Sequence, residues 1–489
     1  AAMNAHAALI DWPVEAFESY PLALWTAAEI MAATGGRASG DFQVSGVEID
    51  SRDVREGDLF FALKGETTDG HRFLEAAFAK GAAAAVVDRP VPWPHVLVED
   101  TSRALEALGA AARARLAPDA RVIGVTGSVG KTSVKEALFA ALDRASHGRA
   151  HRSVKSYNNH VGVPLSLART PAGSTFGVYE MGMNHAGEIA ALTVQVRPNV
   201  AMITAIAPAH IENLGSIEAI ADAKAEIVRG LEPGGVAILP ADSPHFARLR
   251  AAALLVRAQV VSFGRSEQAD VRLLDAVPAP GGGSLVTADM GDRRLCYTVA
   301  APGDHWVVNS LAVMAAVRAA GGDLGAAGLA LAELEGLKGR GARHVVPVPG
   351  GTATVIDESY NANPASMEAT LAQLGNSPAR RRIAVLGAMK ELGEHGPRFH
   401  AELAAPLIAA RVDQAVLVGE EMAALAEQLG KSGDNALGKA MPFAHCRTAA
   451  EALEILAALG LADGDVVLVK GSNSVGLGRV VEALTTQQG

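Results

Sequence analysis

An α/β protein of three domains is predicted for this chain of 489 residues, on three observations. The length exceeds what one hydrophobic core usually organises, since a domain mostly holds roughly 100–200 residues. Short β-rich runs alternate with helical stretches twice over, once from Arg121 and again after Gly341. Hydrophobic residues make up 49% and charged residues 20%, a balance that supplies large cores and excludes wholesale disorder. Such alternation folds into a mainly parallel sheet, because parallel neighbours need a crossover and the crossover helices cover the sheet faces.

Taken in chain order, residues 1–118 read as a small N-terminal α/β domain ending near Pro118. Ala1-Ala2-Met3 reads as an addition ahead of a natural start and is left out of the fold argument. Residues 119–342 form a central parallel-sheet domain, with strands expected at Val122–Thr126, Gly177–Glu180, Val200–Ile206, Val236–Leu239 and Val260–Phe263. Alternating runs over 270–300, around Pro278-Ala279-Pro280-Gly281-Gly282-Gly283, predict hairpin strands appended to it. Residues 343–489 form a C-terminal, dinucleotide-fold-like α/β domain. Its strands are expected at Thr354–Asp357, Ile383–Leu386, Ala415–Val418 and Val466–Val469, with a helix over Ala449–Leu459. No fixed-period repeat is present, and Ala82–Ala85 reads as helix or core filler.

The formal net charge of −10 argues against nucleic acid as a partner, since phosphate backbones are held by clustered Lys and Arg. Cys296 and Cys446 are far apart and in no Cys-x-x-Cys pattern, so neither a disulfide framework nor a zinc ribbon is expected. The sequence has no apolar stretch of membrane-spanning length and no basic-then-apolar export signal, which together predict a cytoplasmic protein without membrane insertion.

The strongest chemical signal runs Val122-Ile123-Gly124-Val125-Thr126-Gly127-Ser128-Val129-Gly130-Lys131-Thr132-Ser133. A buried-looking strand is followed by a Gly-rich turn and a helix expected from Ser133 to about Leu142, the context of a phosphate-binding loop. Glycines let the backbone wrap a phosphate, and its N–H groups with the helix N-terminus supply positive potential. Lys131 would reach the β/γ-phosphates of ATP and Thr132 would hold Mg²⁺. Val125 stands where the common pattern has its first glycine. The alternative is a tight strand-to-helix turn with a solvent lysine.

Open parallel sheets bind ligands at the carboxyl ends of their strands. Glu180 ends one expected strand and His210 follows another, so each joins Lys131 there as a candidate Mg²⁺ ligand or charge partner. Ile217, Ile220, Ile227 and Leu231 recur at helical spacing, and Lys224 falls on the same face. A lysine on an apolar stripe ordinarily snorkels to solvent; the functional alternative points Lys224 into the site.

The segment Thr126-Gly127-Ser128-Val129-Gly130-Lys131-Thr132 resembles the variant phosphate loop of the Mur ligases, in which a threonine precedes Gly-x-x-Gly-Lys-Thr. Three further segments are similar to motifs of the branch that adds D-alanyl-D-alanine to UDP-N-acetylmuramoyl tripeptide. They are Tyr157-Asn158-Asn159-His160-Val161-Gly162-Val163-Pro164, Glu180-Met181-Gly182-Met183-Asn184-His185 and Asp357-Glu358-Ser359-Tyr360-Asn361-Ala362-Asn363-Pro364. Asp50-Ser51-Arg52, the run from Gly57 to Glu66, Ala301-Pro302-Gly303-Asp304-His305, Gly339-Arg340 and Lys470-Gly471-Ser472 extend the likeness over nearly the whole chain.

The resemblance implies an ATP-dependent amide ligase, monomeric, acting through an acyl phosphate with two Mg²⁺ ions. It implies that residues 1–118 bind the UDP end of the substrate through Ser51, Arg52, Gly65 and Glu66. Residues 119–342 would bind ATP through Gly127, Ser128, Val129, Gly130, Lys131, Thr132, Ser133 and Asn309, with Arg340 and Asp357. Asn158, Asn159, Asn184, Tyr360, Asn361 and Asn363 would contact substrate. Thr132, Glu180, His210 and a carbamylated Lys224 would serve the metals, with Lys131, Lys224 and His210 catalytic; residues 343–489 would bind the acceptor. Four positions depart from the family's usual residues: Trp306, Glu358, Ala388 and Asn473.

Overall fold

The computed structural model describes residues 23–65, 67–280, 282–334, 336, 338–431 and 441–486, which divide between Leu108 and Gly109 into two compact units. Glu66 lies outside the described residues.

The first unit is built on a five-stranded sheet in the order Arg37–Ala38, His95–Leu97, Ala84–Val87, Asp58–Phe61, Gly46–Glu48, parallel except at Arg37–Ala38. Ala84–Val87 is buried throughout, so the Ala82–Ala85 run serves as the expected core filler, on a strand rather than a helix. The helix Ala27–Thr34 starts at a capping box between Thr26 and Glu29 and stops at Gly35, whose φ of 69° ends it in the left-handed region.

The second unit carries two sheets. The larger has nine strands, in the order Arg294–Val299, Ser284–Asp289, Val271–Pro278, Gln259–Gly264, Val236–Pro240, Val200–Ile203, Arg121–Thr126, Phe176–Glu180, Ala150–Arg152. Its strands run parallel from Ala150–Arg152 as far as Val271–Pro278, and Ser284–Asp289 with Arg294–Val299 extend it as an antiparallel meander. The chain leaves Arg121–Thr126 toward one edge and later returns to pair on its other side, so this central strand is the topological switch point, where a ligand crevice is expected. Val122, Ile123 and Val125 have no exposed surface, and a Cβ at Gly124 would lie 2.6 Å from Met181 Cε. A side chain there would require the Met181 methyl to move.

The smaller sheet has six strands, Ala342–Val348, Gly351–Glu358, Asp465–Lys470, Arg381–Gly387, Gln414–Val418 and Phe443–Cys446, parallel apart from the first hairpin. Asp465–Lys470 is buried along its length. The expected helix over Ala449–Leu459 is found with those bounds, capped by Thr448. Among the described residues no helix is long and apolar enough to cross a membrane.

Candidate active site

The phosphate-loop turn is set by two glycines that no other residue replaces easily. Gly127 has φ 151°, and a Cβ there would fall 1.9 Å from Thr204 Oγ1; Gly130 has φ 83° and would press on Asn309. The helix Lys131–Ala145 therefore starts directly after Gly130, two residues earlier than expected. The turn is braced from the next strand. Ser128 Oγ donates to Ala207 O at 2.9 Å, and Thr204 Oγ1 donates to Val129 O. Lys131 folds back across the turn and donates to Gly127 O at 2.8 Å. Burial pulls its ammonium below the usual lysine pKa, with Glu180 opposing that shift and Arg340 adding to it.

Glu180, wholly buried at the end of Phe176–Glu180, accepts from Thr132 Oγ1 at 2.8 Å and from Asn158 Nδ2 at 2.8 Å. A hydroxyl and a carboxylate so placed are hard oxygen donors of the kind that Mg²⁺ takes. His210 has φ 62°, a left-handed conformation uncommon outside glycine, and its Nδ1 meets the carboxylate of Glu391, itself at φ 63°. The His210 ring holds the Glu391 carboxyl below the ordinary range.

Both sheets deliver their carboxyl ends to one cavity of about 690 Å³. From the larger sheet come Ser128, Val129, Gly130, Lys131, Ser133, Glu180, Thr204 and His210; from the smaller come Glu358, the run Tyr360–Asn363, Lys390, Glu391, Lys470 and Ser472. Asn363 links the two walls, since its Oδ1 caps the helix Pro364–Asn376 while its Nδ2 donates to Ser128 O at 3.4 Å. Arg340 lies with its guanidinium 4.5 Å from the Tyr360 ring centre and reaches Ser156 Oγ. Lys470 is buried and donates to Asn361 O at 2.9 Å, beside Glu358 at 3.6 Å. Burial lowers the Lys470 pKa and raises that of Glu358.

Of the residues singled out from sequence, Asn158, Asn159, Asn184, Asn309, Arg340, Tyr360, Asn361 and Asn363 line this cavity. Gly127 and Thr132 stand just behind its wall. Lys224 is not among the lining residues; it is 1% exposed, on the helix Ile217–Ala225, and Lys131 lies close enough to act on its charge. Solvent snorkelling is thereby excluded. Asp357 is also interior, accepting from Gly339 N at 2.7 Å and Ser359 Oγ at 2.6 Å, so its carboxylate fixes the backbone that carries Arg340. Ser51, Arg52 and Gly65 belong to the first unit, where Arg52 pairs with Asp50 at 2.6 Å and Gly65 N donates to Thr68 O. Trp306 is buried and tilts against His305, whose pKa burial depresses to about 4.

Ser156, Lys390 and Glu391 were not anticipated. The last two follow the strand Arg381–Gly387, so the strand-end rule that pointed to Glu180 and His210 points to them equally once applied to the second sheet.

The chain is similar to known proteins along most of its length. Family models match as the Mur ligase family catalytic domain over residues 43–127, the Mur ligase middle domain over 125–317 and the Mur ligase glutamate ligase domain over 344–473. The chain is 35% identical to the UDP-N-acetylmuramoyl-tripeptide–D-alanyl-D-alanine ligase of Synechocystis, covering 92% of this chain and 94% of that one. It is 32% identical to the Escherichia coli ligase of the same name, covering 94% and 98%. Among solved structures, MurF of Acinetobacter baumannii superposes with a TM-score of 0.81 at 31% identity, covering 95% of this chain and 99% of that one. The Thermotoga maritima MurF ligase in complex with ADP gives 0.73 at 28%, covering 91% and 98%.

Proposed function

Since the chain belongs to the Mur ligase family, we propose that it joins D-alanyl-D-alanine to UDP-N-acetylmuramoyl tripeptide, a step of peptidoglycan synthesis, with cleavage of ATP to ADP and phosphate. One observation carries the reading. The phosphate turn and the Asn- and Tyr-rich wall of the smaller sheet enclose the same cavity, so a nucleotide and a peptide can meet there.

A free carboxylate is a poor acyl donor, because its charge repels nucleophiles and its oxygen leaves badly. Transfer of the γ-phosphoryl group to the tripeptide's terminal carboxylate gives an acyl phosphate. The amine of the dipeptide then attacks the carbonyl carbon, the C–O bond to phosphate breaks, and the amine's proton is released. In the first step two anions meet, so Lys131 and the N–H groups of the turn contribute by neutralising the transferring group. Arg340, resting on Tyr360, and Asn309, packed on Gly130, hold the nucleotide end. Mg²⁺ supplies further charge neutralisation when bound. Thr132 and Glu180, in contact at 2.8 Å, fit one ion; by the family resemblance His210 and a carbamylated Lys224 would serve a second. Among the described residues no group of three His, Cys, Asp or Glu side chains is placed to hold a metal ion, so ions here would complete their shells with phosphate and water oxygens, as Mg²⁺ ordinarily does. Enclosure between the two sheets keeps water from the acyl phosphate.

Mass analysis of products from ATP, the UDP-tripeptide and either D-alanyl-D-alanine or single amino acids tests the assignment. The dipeptide adduct is expected. Product from a single amino acid alone would move the chain to another ligase of the superfamily, and ATP turnover with no covalent product would make it a nucleotide-gated binder. The first unit is assigned the UDP end of the substrate. Ser51→Ala and Arg52→Ala are accordingly expected to raise KM for the UDP-substrate with kcat little changed, as loss of uniform binding does; a collapsed kcat at unchanged KM contradicts that placement.

A further inference from the structure

The acceptor carries two charges, an amine that must reach the acyl carbonyl and a terminal carboxylate that takes no part in the chemistry. An extended dipeptide separates them by about 7 Å, so a cation is needed on a wall set back from the phosphate turn. Among the described cavity-lining residues the permanent cations are Lys131, Arg340, Lys390 and Lys470. Lys131 belongs to the turn, Arg340 to Ser156 and Tyr360, and Lys470 is sealed under Asn361 and Glu358.

Lys390 differs from these three. It follows the strand Arg381–Gly387, its side chain is half-exposed, and its ammonium pairs with Glu421, which does not line the cavity. Its backbone N–H donates to Ser472 Oγ at 3.0 Å, and Ser472 N donates to Ala388 O, so Lys390 shares one wall with Ser472, Asn473 and Ser474. The neighbouring Glu391 meets His210, which fixes this wall opposite the larger sheet's strand ends. An ammonium on the same wall as hydroxyl and amide groups is suited to receive a carboxylate.

We propose that Lys390 binds the terminal carboxylate of the acceptor dipeptide and thereby selects acceptors with a free carboxyl end. Glu421 balances the charge of the ammonium until the substrate carboxylate arrives and competes for it. This assignment rests on the ligase reading above.

The test compares D-alanyl-D-alanine with D-alanyl-D-alaninamide, which lacks the charge, each read as substrate or competitive inhibitor. Lys390→Met is expected to raise KM for the dipeptide by about 10- to 100-fold, the range for loss of a charge-assisted hydrogen bond, with the loss falling on KM rather than kcat. Affinity for the amide should hardly move. Lys390→Arg should recover much of the dipeptide's affinity, and Glu421→Gln should lower its KM, since the ammonium then answers to the substrate alone. An unchanged KM in Lys390→Met, or equal losses for dipeptide and amide, overturns the assignment while leaving the ligase reading standing. A parent enzyme that makes no dipeptide product removes both.

Discussion

Lys131→Ala is expected to lower turnover by about 10²–10³-fold or more, the range seen when one preorganised charge donor is taken from a transition state, while the fold survives. The two halves of this expectation have different sources. In the folded chain the ammonium makes one hydrogen bond, to Gly127 O, whose net worth is about 1 kcal/mol. Burial already disfavours its charge, so truncation also removes a desolvation cost. The unfolding midpoint should therefore move by no more than about 4 °C. Phosphoryl transfer loses far more, because the transition state spreads negative charge over oxygens that have no other side-chain cation at the turn. Single-turnover measurement of ADP formation separates chemistry from substrate binding. Near-parental rates in a folded Lys131→Ala enzyme would remove the phosphate loop from the mechanism.

Much of this site was legible because its signals are local. The Gly-x-x-Gly-Lys-Thr turn declares itself by spacing alone, and Glu180 follows from a rule about strand ends that needs only the strand. Where the reading fell short, the deciding contact is tertiary. The strand expected over Val200–Ile206 ends at Ile203; just beyond it Thr204 N still bonds Thr126 O while Thr204 Oγ1 donates to Val129 O in the turn, a partner 75 positions away in the chain. The short edge strands Ala150–Arg152 and Phe443–Cys446 carry no clear apolar period, being half-solvated, and were passed over. Motif likeness expects Asp357 at the nucleotide, and what else its carboxylate binds is not written in a motif. In the folded chain its oxygens go to Gly339 and Ser359, and its effect on the cavity runs through Arg340. The pairing of His210 with Glu391 was out of reach for the same reason: it joins two sheets whose separate patterns say nothing of how they face each other.

Lys224→Ala is expected to abolish most activity, and small carboxylic acids added to the buffer are expected to restore part of it by filling the vacated space. The physical case begins with two like charges. Lys224 is buried, and both desolvation and the nearby Lys131 ammonium hold its pKa well below the ordinary lysine value, so the neutral amine is favoured. That form reacts with CO₂. The resulting carbamate is anionic, which turns repulsion by Lys131 into attraction and supplies oxygens suited to Mg²⁺. For the unmodified lysine the linkage is explicit. Its folded pKa lies below the unfolded one, the unfolded chain binds the extra proton between them, and stability rises with pH across that window. Lys224→Met removes this cost, so in bicarbonate-free buffer near neutral pH the variant should unfold at a higher temperature than the parent while remaining inactive. A carbamate carbon seen by NMR after labelling with isotopic bicarbonate, and missing from Lys224→Met, is the direct observation expected. Fully active, Mg²⁺-loaded enzyme without that signal would leave Lys224 as a buried amine, and its part in metal binding would fall.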